Sequence, residues 1–173
     1  MENLIFLLAT SLVIRISANS RKTFNKYLIG DTGCSVYTFP GHNKFESVLT
    51  QSGDRMYLHD YTEDDVTYGI ICVDLQESYS LAEAEELLQR YMHKLKEPLY
   101  VLHETGIMNA FDYNSATSIS LENYWQDIEQ VDWKVKGYTN GKVISVLYVK
   151  NIGQADIPKQ EFFLDSFHFK ASL

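Results

Sequence analysis

The sequence predicts an α+β domain, an antiparallel β-sheet with helices packed on its faces. Three observations predict it. Alternating or continuous apolar runs of strand length recur along the chain, one segment has a capped amphipathic helix pattern, and Asn140-Gly141 joins two alternating runs as a hairpin should. The chain has 173 residues, 45% of them hydrophobic and 22% charged, which suits one domain able to bury a core without staples.

The first segment stands apart. Leu4 to Ile14 (LIFLLATSLVI) is apolar except for Thr10 and Ser11. It falls short of the roughly 20 residues a transmembrane helix needs and suits the apolar region of a secretory signal peptide. Residues 1–18 are therefore expected to be a signal peptide, cleaved after Ile16-Ser17-Ala18, and 19–30 (NSRKTFNKYLIG) a leader into a single domain over 31–173. Met1-Glu2-Asn3 lacks the usual positive charge and Arg15 sits where a neutral residue is usual. The alternative is a buried first strand or helix of a cytoplasmic domain. Export implies an extracytoplasmic location, periplasmic or secreted, with no stable membrane insertion once the signal is removed.

Cys34 to Phe39 (CSVYTF) reads as a strand stopped by Pro40-Gly41. Gln51 to Asp54 is a turn, Arg55 to Tyr61 (RMYLHDY) a second strand, and Glu63-Asp64-Asp65 a charged turn. Val66 to Leu75 (VTYGIICVDL) is apolar on both faces over Ile70 to Val73, as a central strand covered on both sides must be. Cys34 and Cys72 then occupy the first and third strands of a meander. Two strand spacings put them about 9–10 Å apart, so buried free thiols are expected; the alternative is the one disulfide that export permits, which a different strand order would favour.

Ser80-Leu81-Ala82-Glu83 is a capping box. Leu81, Ala84, Leu88, Tyr91 and Leu95, with Leu87 beside them, form one apolar stripe, and Pro98 follows the helix end. Leu99 to Glu104 and Ala116 to Leu121 are short strands around an irregular stretch. Asn140-Gly141 predicts a type I′ two-residue turn between Glu129–Tyr138 and Lys142–Lys150, with Val135 opposite Val146 and Trp133 opposite Tyr148. Val131, Trp133, Val135, Ile144, Val146 and Tyr148 share one face; Asp132, Lys134 and Lys136 point the other way. Asp156 caps a last helix that Pro158 starts and that Phe163, Leu164 and Phe167 pin to the sheet. Helices 80–96 and 158–167 are expected on opposite faces, an α-β-α sandwich, with one shared face as the alternative.

Tyr37-Thr38-Phe39-Pro40-Gly41, the Asn-Gly hairpin leading into Val146-Leu147-Tyr148-Val149, and the closing Phe162-Phe163-Leu164-Asp165-Ser166-Phe167 resemble the strand end, hairpin and terminal helix of PsbP-like bacterial proteins. The resemblance runs from about Gly33 to Phe169. It implies an α-β-α sandwich and a role without catalysis, since members of that family act mostly as accessory or binding proteins. Residues 103–118 fit the family's middle region poorly, and a shared fold does not transfer a specific role.

Catalytic patterns are missing from the sequence. Gly-x-Ser-x-Gly, the Walker pattern, Gly-x-Gly-x-x-Gly and His-Glu-x-x-His do not occur. His42, His59, His93, His103 and His168 are scattered singly. His59-Asp60 and His103-Glu104 pair imidazole with carboxylate, but neighbours in a strand point to opposite faces. No cofactor or metal is expected, and the protein is read as a non-enzyme. A net charge of −8 argues against a general nucleic-acid binder or an anionic membrane surface as partner. The expected partner is another protein or an unidentified ligand. Tyr124, Trp125, Glu63, Asp64 and Asp65 are the candidate contacts, because Tyr124-Trp125 lies in a polar stretch and the acidic triplet in a turn. The leading reading is an exported accessory or binding protein. A cytoplasmic chaperone or immunity-type protein for a basic partner is second. A small hydrolase using His59 or His103 as a base is third.

Overall fold

A computed structural model describes residues 23–105, 117–152 and 156–170. The expected signal peptide and the irregular stretch over 106–116 lie outside these residues. Within them the chain is α+β. Strands β3 (Glu46–Leu49), β4 (Arg55–Glu63), β5 (Val66–Asp74), β6 (Val101–Glu104), β7 (Ile119–Asp127), β8 (Asp132–Thr139) and β9 (Val143–Lys150) form one antiparallel sheet in the order β3-β4-β5-β9-β8-β7-β6. Strands β1 (Asn25–Leu28) and β2 (Ser35–Thr38) form a separate antiparallel pair.

Alternation along β5 divides the core. Tyr68, Ile70 and Cys72 join one apolar cluster with Val36, Phe39, Phe163 and Leu164. Ile71 and Val73 join a second with Leu88, Met92, Trp133 and Val135. Helix α1 (Leu81–Leu95) therefore covers one face, and helix α2 (Ile157–Leu164) with the β1–β2 pair covers the other. The expected opposite-face arrangement holds, and so does the buried β5, flanked by β4 and β9.

Helix α1 begins as its sequence requires. Ser80 Oγ accepts from the Glu83 amide, and the Glu83 carboxylate accepts from the Ser80 amide at 3.0 Å. Its buried line is Ala84, Leu88 and Met92; Tyr91, expected in the stripe, is half-buried and donates its hydroxyl to Met56 Sδ at 3.2 Å. In α2, Asp156 Oδ1 accepts from the Lys159 amide and Pro158 sits in the first turn.

Three differences from the sequence reading have physical causes. Residues 25–28, expected in a leader, form β1. Cys34 leads into β2, which pairs with β1 and not with the main sheet, so the two cysteines do not share a meander. Both thiols are nonetheless free and buried. Burial and the nearby Cys34 push the Cys72 thiol far above its ordinary value, so it is an inert packed group.

The third difference is the turn after β8. Thr139 pairs with Ile144, and the Asn140 amide donates to Val143 O at 3.3 Å, so Gly141 and Lys142 are the central residues. Only Gly141 has positive φ, at 86°, as in a type II′ turn. Val135 consequently faces Tyr148, and Trp133 faces Lys150. The shift is two residues, so every side chain keeps its predicted face. The type I′ pattern occurs instead at Asp64-Asp65, with φ of 52° and 63° between the paired Glu63 and Val66.

The Gly141 carbonyl accepts from the Tyr79 amide at 2.9 Å, and a Cβ on Gly141 would stand 2.2 Å from the Tyr79 carbonyl oxygen. Left-handed backbone and a backbone collision combine there. Gly141→Ala is expected to cost about 2–3 kcal/mol, read from the urea midpoint. A loss below about 0.5 kcal/mol would show that the turn yields freely.

Candidate functional site

The sequence-predicted contacts are not brought together. Tyr124 lies inside β7, 37% exposed; its hydroxyl donates to Glu122 Oε1 at 3.1 Å, and Lys134 Nζ sits 5.5 Å from its ring centroid. Trp125 points the opposite way and is buried in the core under α1, so it offers no surface. Asp64 and Asp65 are exposed and form the β4–β5 turn, and the Asp65 carbonyl accepts from Asn151 Nδ2 at 2.7 Å. Three strand spacings, about 14 Å, separate β5 from β7. Tyr124 and the acidic turn are two surfaces, not one.

A different corner gathers more exposed apolar surface. After α1 the chain turns through residues 96–100 and enters β6, the outer strand on one side of the sheet. Tyr100 has φ of 55°, in the left-handed region that bulky residues avoid. Its amide donates to Glu97 O at 3.1 Å, its carbonyl accepts from the Ile128 amide at 3.1 Å, and the Val101 amide donates to Lys96 O at 2.9 Å. These bonds over-determine the strained backbone. The ring they hold is 68% exposed, beside Leu102 at 62% and Ile128 at 56%.

Next to this edge, a groove of about 490 Å³ runs between the end of α1 and β6, lined by His93, Lys94, Lys96, Leu102, His103 and Glu104. Lys96 Nζ is ion-paired to the Glu104 carboxylate, which also accepts from the buried Asn123 side chain. Burial would raise the Glu104 pKa, but Lys96, Asn123 and His93 together hold it below its ordinary value. His103 lines this groove with cations and carboxylates, and neither serine nor cysteine lines it.

A second cleft, about 460 Å³, lies between β7–β8 and the C-terminal segment, with Ser120, Lys136, Tyr138, Asp165, Phe167 and His168 in its wall. Lys136 is paired to Asp165 at 2.5 Å, and the Tyr138 hydroxyl donates to Leu164 O.

His59 stands elsewhere, on the α2 face near the β3 edge. Alternation along β4 puts Tyr57, His59 and Tyr61 on one side. The preceding loop folds over them. The His42 amide donates to Phe39 O at 3.1 Å and Gly41 has φ of 90°, so Phe39-Pro40-Gly41-His42 is a type II turn. Thr38 Oγ1 donates to His42 O at 2.7 Å and fixes its exit. The His42 ring stacks on Tyr61 at 4.2 Å and lies 5.9 Å from the His59 ring. Phe45 meets His59 edge-on at 5.6 Å. His59 Nε2 is buried without a hydrogen-bond partner. Burial, then the neighbouring His42, lower the His59 pKa against the pull of Asp60 and Glu46. The sequence signals were present, a Phe-Pro-Gly turn and a strand histidine, but nothing local linked residues 17 positions apart.

Among the described residues no three His, Cys, Asp or Glu side chains converge as a metal cluster, and no helix is long and apolar enough to cross a membrane. Comparison with protein-family models, with curated proteins and with solved structures finds no match for this chain.

Proposed function

We propose that this is an exported, non-catalytic accessory protein that docks another protein along the β6 edge. The observation that carries the reading is Tyr100, a strained residue whose ring is held out to solvent beside β6, the outer strand among the described residues. Backbone strain of this kind costs about 1–3 kcal/mol, persists where the surrounding structure over-determines it, and clusters at binding and active sites. An outer strand offers unpaired amides and carbonyls to a partner strand, and exposed apolar side chains give such a contact its energy. Leu102 and Ile128 supply them here. The polar groups of the adjoining groove are engaged with one another, Lys96 with Glu104 and Glu104 with Asn123, which suits recognition better than proton transfer. The likeness to PsbP-like proteins supports the same class of role, and the apolar run at 4–14 supports export.

The test is capture of partners by the full chain and by its Tyr100→Ser/Leu102→Lys variant, followed by titration of the purified partner. The expected result is an affinity at least about tenfold weaker for the variant, with partner-induced slowing of amide exchange over residues 100–104 in the parent. Equal affinity overturns the docking edge. Turnover of a defined substrate, abolished by one substitution, overturns the non-catalytic reading. Mass spectrometry of the native protein separates export from the cytoplasmic chaperone alternative: a start near Asn19 supports export, and a retained Met1 supports the alternative.

A further inference from the structure

We infer that His42 and His59 form a two-imidazole site for a divalent metal ion of the zinc class, with water completing the coordination. The inference is independent of the docking edge, which lies on the opposite border of the sheet.

Three features carry it. The first is distance. Two histidines bound to one zinc at about 2.0–2.1 Å with a tetrahedral angle have ring centroids about 5 Å apart. The ring centroids of His42 and His59 are 5.9 Å apart and the rings are inclined by 37°, within about 1 Å of that separation. The second is the orphaned nitrogen. A buried polar atom without a partner is costly, and His59 Nε2 is such an atom. A metal ion would satisfy it directly. The third is pre-organisation. His42 is set by the type II turn, by Thr38 beneath it and by the Tyr61 ring stacked against it. His59 is set by β4 and by the edge of Phe45.

Electrostatics agree. Glu46 and Asp60 act on His59 from β3 and β4, and their negative charge favours a cation nearby. With two protein nitrogens the site is open rather than closed, so moderate affinity is expected instead of the tight binding of structural zinc.

Calorimetric titration of the full chain with zinc chloride tests this. Saturable binding of one ion is expected, with an upward shift of the melting temperature. His42→Gln and His59→Gln should each weaken binding by at least about tenfold, while His103→Gln, in the groove beside β6, leaves it unchanged. His42 lies in a half-exposed turn, so its variant keeps the test valid if His59→Gln folds poorly. No saturable binding at millimolar zinc, binding that survives His42→Gln, or loss on His103→Gln alone would overturn the assignment.

Discussion

Asp127→Ala is expected to destabilise the protein by about 3–5 kcal/mol, the cost of emptying a buried carboxylate site whose donors then have no acceptor. Asp127 is 3% exposed at the end of β7. Its Oδ1 accepts from the Glu129 amide at 2.9 Å and the Val131 amide at 3.0 Å, and so builds the turn into β8. Its Oδ2 accepts from Trp133 Nε1 at 3.0 Å and is ion-paired to Lys150 at 2.9 Å. Lys150 Nζ also lies 4.9 Å from the Trp133 ring centroid, so one carboxylate joins the turn, an indole and a cation across β7, β8 and β9. Removing it orphans two amides and the indole N–H and leaves the Lys150 ammonium only its longer, 3.9 Å pairing with Glu129. For a chain of this length the loss corresponds to a melting temperature lower by about 10 °C. Asp127→Asn keeps an acceptor but loses the charge, and should fall between. A midpoint shift under about 1 kcal/mol for Asp127→Ala would mean that the turn reorganises around water.

The same carboxylate sets a pH dependence. Burial works to raise the Asp127 pKa, but bonds from Lys150, Val131, Trp133 and Glu129 outweigh it and hold the pKa below its ordinary value. A depressed folded pKa contributes stability that is complete above the unfolded value of about 3.9 and is lost as pH falls through the folded pKa. The stability gap between the parent protein and Asp127→Asn should be widest near neutral pH and narrow in strong acid. A gap independent of pH would remove the charge from the explanation.

How much of this was legible depended on whether the cause was local. Helix α1 was readable because capping box, stripe and Pro98 all sit within its own 20 residues. The faces of β8 and β9 were readable because alternation survives a two-residue register shift, although the turn type did not. Strand β3 was invisible: all four of its residues are exposed and it pairs on one side only, so it has no apolar pattern to betray it. The placement of β5 beside β9 rests on contacts dozens of residues apart. Tyr124-Trp125 read as a surface candidate because it follows Glu122-Asn123 in a polar stretch; those polar groups are hydrogen-bonded within the sheet. Of the candidate site, the strain at Tyr100 has no signature in the residue itself, and the approach of His42 to His59 exists only once the loop folds over β4.

The pair Phe162-Phe163 supplies the sharpest contrast in expected effect. Phe163→Ala should cost about 3–5 kcal/mol, while Phe162→Ala should cost about 1 kcal/mol or less. Adjacent residues on a helix point about 100° apart, so α2 can bury only one of them against the sheet. Phe163 is fully buried and meets the rings of Tyr68 at 5.1 Å and Tyr61 at 6.4 Å, both nearly perpendicular, the arrangement that ring quadrupoles favour. Phe162 is 48% exposed and touches Phe24 and Tyr37 at the border. The consequence reaches the histidine pair. Tyr61 stands between Phe163 and His42, so truncating Phe163 removes the backing of the ring on which His42 stacks. If His42 and His59 bind zinc, Phe163→Ala should weaken that binding as well as the fold, and Phe162→Ala should spare both. Equal destabilisation by the two substitutions would mean that α2 is held by its border contacts and not by the ring it drives into the core.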